Sequence, residues 1–214
     1  MKRVAAILFL IFSSITVFSQ NSFSLRYFGM TIHPFGDQTA AVQPYKLDKH
    51  AIVVANFGGF FVFDHYLKKD YIAISFMQAG FTDCSGGPGG FTHIGIRARL
   101  IDKGKHRLVF GAGPMLYYRR DWNRFEIYED KGFFHQYHSS HLGDIQYKLF
   151  PVGFEFAYHY QISDHFDFNA GFTPGIPLAC SFSAGLTWWP KRFAEKGKVI
   201  KVILNKKKRK VNLS

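Results

Sequence analysis

Phe150 to Ile162 alternates with a period of two over thirteen residues. Phe150, Val152, Phe154, Phe156, Tyr158, Tyr160 and Ile162 fall on one face, and Pro151, Gly153, Glu155, Ala157, His159 and Gln161 on the other. A period of two is the signature of an extended strand whose faces meet different surroundings. Later segments repeat it. Phe166, Phe168, Ala170 and Phe172 oppose Asp167, Asn169, Gly171 and Thr173, and Phe182, Ala184, Leu186 and Trp188 oppose Ser181, Ser183, Gly185 and Thr187. Upstream, Ile72, Ile74 and Phe76 share a face, as do Ile94, Ile96, Ala98 and Leu100, and then Leu108, Phe110, Ala112, Leu116 and Tyr118. Two earlier strands, near Phe23–Pro34 and His50–Asp64, are less regular, and Gly58–Gly59 is the expected bulge where faces exchange. After Gln20 there is almost no helical periodicity.

The pattern predicts eight strands, most of about ten residues or more, the length a tilted strand needs to cross a hydrocarbon layer. One face is bulky and apolar. The other carries Gly, Ser, Asn, Arg and His rather than the Lys and Glu of a water-facing sheet, which suits a narrow polar lumen. A soluble barrel of the lipocalin kind would reverse the polarity. That reading fails if Phe154, Phe156 and Phe168 point outward.

The spacing of the strands gives a second, separate indication. Connections on one side are long, about Gly36–Lys49, Asp83–Gly90 and Asp121–Asp144, with a shorter Pro174–Ala179. Those on the other side, about His65–Lys69, Asp102–Lys105 and Ser163–Asp164, are tight. Long outside and short inside is the asymmetry of outer-membrane barrels.

The termini are of a different character. Lys2 and Arg3 precede an apolar run from Val4 to Phe18, and Val17 and Ser19 occupy the −3 and −1 positions before Gln20. This describes a cleaved signal peptide over residues 1–19. The run is shorter than a spanning helix requires. The formal net charge of +12 sits mostly at the ends. Residues 191–214 hold ten basic residues against Glu195, which leaves the body near neutral. A nucleic-acid-binding domain would spread positive charge over its fold. The basic tail is instead expected in the periplasm, where it would meet anionic lipid or peptidoglycan.

With a signal peptide, eight alternating strands, long outward loops and an aromatic closing strand at Phe182–Trp189, the chain resembles the small eight-stranded outer-membrane β-barrel proteins of Gram-negative bacteria. The resemblance covers residues 20–190. It implies an all-β, antiparallel, transmembrane barrel in the outer membrane, in contact with lipid and lipopolysaccharide.

Several constellations bear on chemistry. Arg97, Arg99, Arg107, Arg119, Glu155, His159 and Asp167 face the expected lumen and predict a network of ion pairs, since buried charges must be paired. Eight strands enclose an interior that side chains just fill, so an open solute channel is not expected. The 121–144 loop is basic and aromatic, with Arg119, Arg120, Tyr128, Phe133, Phe134 and Tyr137, and is the expected surface for glycan, lipopolysaccharide or protein. It also holds His135, His138 and His141, whose spacing in a loop without Cys is a poor metal set. His138 and Ser140 have the His-x-Ser spacing of outer-membrane lipid A deacylases, whose fold this chain resembles. Glu155 would supply the carboxylate, with His138 taking the serine proton. Gly86–Gly90 lacks the Lys-Ser/Thr of a phosphate loop and reads as a turn. Cys84 and Cys180 both fall at outward strand ends, in an oxidising compartment, but on strands that are not neighbours.

The sequence thus predicts a monomeric outer-membrane barrel (residues 20–190) without cofactor or metal. Its role is structural or one of surface interaction. The enzymatic alternative is an acyl-ester hydrolase using His138, Ser140 and Glu155.

Overall fold

The computed structural model describes residues 21–37, 39–68, 71–126, 140–175, 179–190 and 192. Nine strands follow in order: β1 (Asn21–Ile32), β2 (Val53–Lys68), β3 (Ile72–Thr82), β4 (Pro88–Lys103), β5 (His106–Arg120), β6 (Ser140–Leu142), β7 (Ile145–Gln161), β8 (Phe166–Gly175) and β9 (Ala179–Trp188). Eight of them form the wall. Each pairs antiparallel with its neighbour, β1 pairs with β9 and β5 with β7, so the eight-stranded wall closes on itself. The short β6 is a hairpin extension on β7, within the expected 121–144 loop.

The connections divide between the two ends of the barrel as the sequence predicts. At one end, here the turn end, lie the tight joins between β2 and β3, β4 and β5, and β7 and β8. Gly104 takes φ +64 in the two-residue join of β4 and β5, a left-handed conformation that glycine adopts without a Cβ penalty. At the other, the loop end, lie the 33–52, 83–87 and 121–144 connections and the short join of β8 to β9.

Strand faces decide between a membrane barrel and a soluble one. Phe154, Phe156 and Phe168 are 39%, 37% and 40% exposed on the outer wall, and Leu25, Ile96 and Leu186 are more exposed still. Arg26, Asp64, Arg97, Glu155 and Asp167 are buried inside. The polarity is apolar out and charged in, opposite to a soluble lipocalin-like barrel. The fold is therefore a closed eight-stranded antiparallel barrel of the transmembrane kind.

Two details differ from the sequence reading. Gly58–Gly59 does not exchange the faces of β2: Val54, Asn56, Phe60, Val62, Asp64 and Tyr66 all point inward. The exchange occurs on β1, where the register slips between Phe28 and Met30 and the buried positions move from Ser24, Arg26 and Phe28 to Thr31. β7 also slips its register, at Gly113/Met115 opposite Gly153/Phe150. Phe150, expected outside, is only 8% exposed and lies in the lumen, while Pro151 faces out. A proline cannot donate to the ladder, and the strand accommodates it at a bulge.

The interior is layered. Nearer the loop end Phe28, Phe60, Val62, Met77, Ala79, Phe91, Met115 and Phe150 form an apolar cluster, with Phe81 and Tyr117 against it. Phe60 packs on Phe28 at 5.3 Å between ring centroids and on Phe91 at 5.2 Å. Toward the turn end the filling becomes charged.

Candidate functional site

The charged layer is a chain of guanidinium and carboxylate groups from six strands. Glu155 on β7 takes Arg26 from β1 at 2.5 Å and Arg97 from β4, which binds it through both Nε and Nη2. Arg97 Nη1 donates to Asp64 of β2 at 2.7 Å. Below it, Arg107 of β5 donates to Asp167 of β8 at 2.9 Å and to Gln161 at 2.9 Å. Arg99 meets Asp102 at 2.7 Å. Glu155 and Arg26 are almost fully buried, so their charges rest on these partners and not on water. Gly171 belongs to the same packing, because a Cβ there would stand 2.0 Å from Arg26 Nη1.

All seven lumen residues read from the sequence face inward. Sequence reasoning missed three members. Asp64 lies on β2, where apolar residues on both faces hide the alternation, and Arg26 lies on β1, where Ser22, Ser24 and Arg26 alternate with Phe23, Leu25 and Tyr27 but the slip between Phe28 and Met30 cuts the pattern short. Arg192 was assigned to the tail. Its Nη2 lies 2.6 Å from Asp167 Oδ1, and its guanidinium sits over the Trp189 ring at 5.0 Å. The Trp189 indole N–H donates to Asp167 at 2.8 Å, and Trp189 stacks on Tyr66 at 5.2 Å. Trp189 and Arg192, just after β9, thus pack against lumen residues of the turn end. The pocket left there, lined by Tyr66, Tyr71, Arg97, Arg99, Arg107 and His159, has room for about one water molecule.

At the loop end the side chains of three aspartates order the rim. Asp83 accepts from Ser85 N–H, Gly87 N–H and the Trp122 indole N–H, the last at 2.6 Å. Arg119 lies over the Trp122 ring at 4.0 Å. Asp48 accepts from the amides of His50, Ile52 and Val53. Asp37 accepts from Thr39 N–H at 2.8 Å, Thr39 Oγ1 at 2.6 Å and Gln43 Nε2 at 2.6 Å, and His33 Nδ1 lies 3.1 Å from it. Such bonds hold irregular backbone in one conformation.

Burial alone would raise the Asp37 carboxyl, but the bonds from His33 and Thr39 outweigh it and hold the group well below the usual carboxylate range. A depressed folded value stabilises the ionised form. The contribution of this clasp is therefore fully present above about pH 4 and is lost only as pH falls through the lower folded value. Protection of the Thr39 amide from hydrogen exchange, followed by NMR, is expected to survive from about pH 6 to below about pH 4 and then disappear.

The alternative catalytic set is not gathered by the described residues. His138, with Tyr128, Phe133, Phe134, His135 and Tyr137, lies outside them. Ser140 is at the start of β6, opposite Tyr147. Glu155 is eight residues further along β7, or about 26 Å at strand rise, and is held by two arginines in the lumen. Cys84 and Cys180 are free thiols.

No family model and no curated protein matches the chain. Among solved structures it is similar to the N-terminal β-barrel domain of Pseudomonas aeruginosa OprF, with TM-score 0.43 and 12% identity over 79% of this chain and 97% of that one. It is similar to Neisserial surface protein A, with TM-score 0.46 and 9% identity over 80% and 97%. It is similar also to Ail, the attachment invasion locus protein of Yersinia pestis, solved with the heparin analogue sucrose octasulfate, with TM-score 0.44 and 12% identity over 79% and 97%.

Proposed function

We propose that the chain is an outer-membrane protein that acts through its loop end, as a structural or surface-interaction barrel and not as an open solute channel. The observation that carries this reading is the pairing of an apolar outer wall with a filled lumen. The eight wall strands run 10–17 residues, enough to cross the hydrocarbon layer when tilted. Apolar cluster and arginine–carboxylate network together occupy the space a solute would need. On this reading residues 1–19 are removed on export and the tight turns face the periplasm. The basic residues 191–214 then lie near anionic lipid headgroups or peptidoglycan. The ordered loop rim faces outward toward lipopolysaccharide and external partners. The protein acts as a monomer, without cofactor or metal.

Two measurements test it. Purified protein in planar bilayers is expected to give no steady conductance, and a stable open level would overturn the filled-lumen reading. Ile94→Arg, mid-way along β4 on the outer wall, is expected to lower stability in bilayers by about 2–4 kcal/mol, as for a charge near the membrane midplane. Leu142→Arg, on the loop-end hairpin, is expected to stay within about 0.5 kcal/mol of the parent. Equal effects at the two positions would remove the membrane assignment of the wall.

A further inference from the structure

We propose that Cys84, His33 and Asp37 form a nucleophilic thiol site on the loop-end rim, which takes an ester-linked acyl group. The three come from two connections that the barrel brings together. His33 and Asp37 follow β1, and Cys84 lies between β3 and β4. Cys84 Sγ is 3.6 Å from His33 Nε2, and His33 Nδ1 is 3.1 Å from Asp37 Oδ2. An ionised carboxylate only accepts, so Nδ1 carries the hydrogen and Nε2 turns its lone pair to the thiol. Thr39 and Gln43 pin the carboxylate, which makes Asp37 a positioning residue for the imidazole. This is the order of nucleophile, base and orienting carboxylate required for acyl transfer.

A second observation adds to the triad. Asn56, beside Cys84, is 1% exposed; its Nδ2 donates to the Thr82 carbonyl at 2.9 Å, and its Oδ1 is buried without a hydrogen-bond partner among the described residues. An acceptor of that kind lacks a hydroxyl donor, which a water or an alcohol supplies. Next to it, Phe57 and Tyr45 meet edge to face at 5.6 Å, both exposed, and Tyr45 also borders the loop of Cys84 at Gly86. They offer an apolar surface for an acyl chain.

Burial, with Asp83 and Asp37 adding to it, pushes the Cys84 thiol up to about 12. The group therefore rests as S–H and loses its proton to His33 Nε2 during attack. The Sγ–C bond forms as the ester C–O bond breaks, and His33 returns the proton to the leaving alkoxide, releasing an alcohol. Water then attacks the thioester, giving its proton to His33. The C–S bond breaks, the sulfur takes the proton back, and the free acid leaves.

The test uses the full chain in detergent micelles, in a Cys180→Ser background, with p-nitrophenyl butyrate as probe and intact-protein mass spectrometry as readout. A butyryl adduct on Cys84 that turns over is expected. Its formation should fall on the order of 100-fold in His33→Gln and be absent in Cys84→Ala. Asp37→Asn should lower kcat with KM unchanged. Heat-modifiable gel migration reports the folded barrel in each variant, and His33→Asn replaces His33→Gln if the latter does not fold. No adduct on the folded parent, an adduct on another residue, or an adduct that forms equally without His33 would each overturn the proposal.

Discussion

Glu155→Ala is expected to be among the most destabilising single changes in the barrel, costing about 3–5 kcal/mol, because it leaves two guanidinium groups buried without their shared carboxylate. Arg97 would retain Asp64. Arg26 would lose its only ion-pair partner among the described residues and would face Arg97 as a like charge. The measurement is reversible urea unfolding in lipid vesicles or micelles. Removing the unpaired charge as well, in Arg26→Met/Glu155→Gln, is expected to recover much of the loss, since an apolar replacement for a buried pair is often close to neutral. A cost below about 1 kcal/mol for Glu155→Ala would mean that water reaches these charges, and the closed-lumen reading would fall with it.

Phe60→Ala is expected to cost about 3–5 kcal/mol by the same assay, from lost burial plus the cavity left among rings that cannot collapse onto one another. Phe60 is 1% exposed, touches Phe28 and Phe91, and lies under the Arg26 guanidinium at 5.8 Å. The apolar layer and the charged layer therefore meet at this ring. Phe61, the next residue, faces outward. Phe61→Ala removes a lipid contact and leaves no enclosed cavity, so its cost should be distinctly smaller. Equal costs for the two would mean that the lumen side is not packed.

The contrast between Phe60 and Phe61 also explains what could be read from the chain. In β7, β8 and β9 the lumen positions are polar or small, so the alternation is visible and the outward face of each was legible. Phe150 is the exception, displaced by the bulge at Pro151. In β2 the run Phe60-Phe61-Val62-Phe63 is apolar on both faces, since the lumen there is itself apolar. Period two then leaves no trace, and the interior cluster was not legible. Of the charged network, the residues on regular strands were found. Asp64 and Arg192 were not, because their neighbours in sequence carry no pattern that marks them, and Arg26 was not, because the slip between Phe28 and Met30 ends the alternation of Ser22, Ser24 and Arg26 with Phe23, Leu25 and Tyr27.

The sequence by itself determined the strand count, the closed antiparallel barrel, the long and short ends and most of the outward faces. Each is a consequence of local periodicity and turn composition, which act over a few residues. Only the tertiary structure decided which charges meet. Glu155 joins Arg26 and Arg97 across a lumen whose register is set by bulges on β1 and β7, and Cys84 meets His33 across 51 positions of chain. A single slip of register turns every following side chain to the other face, so contacts between strands depend on all the pairings at once.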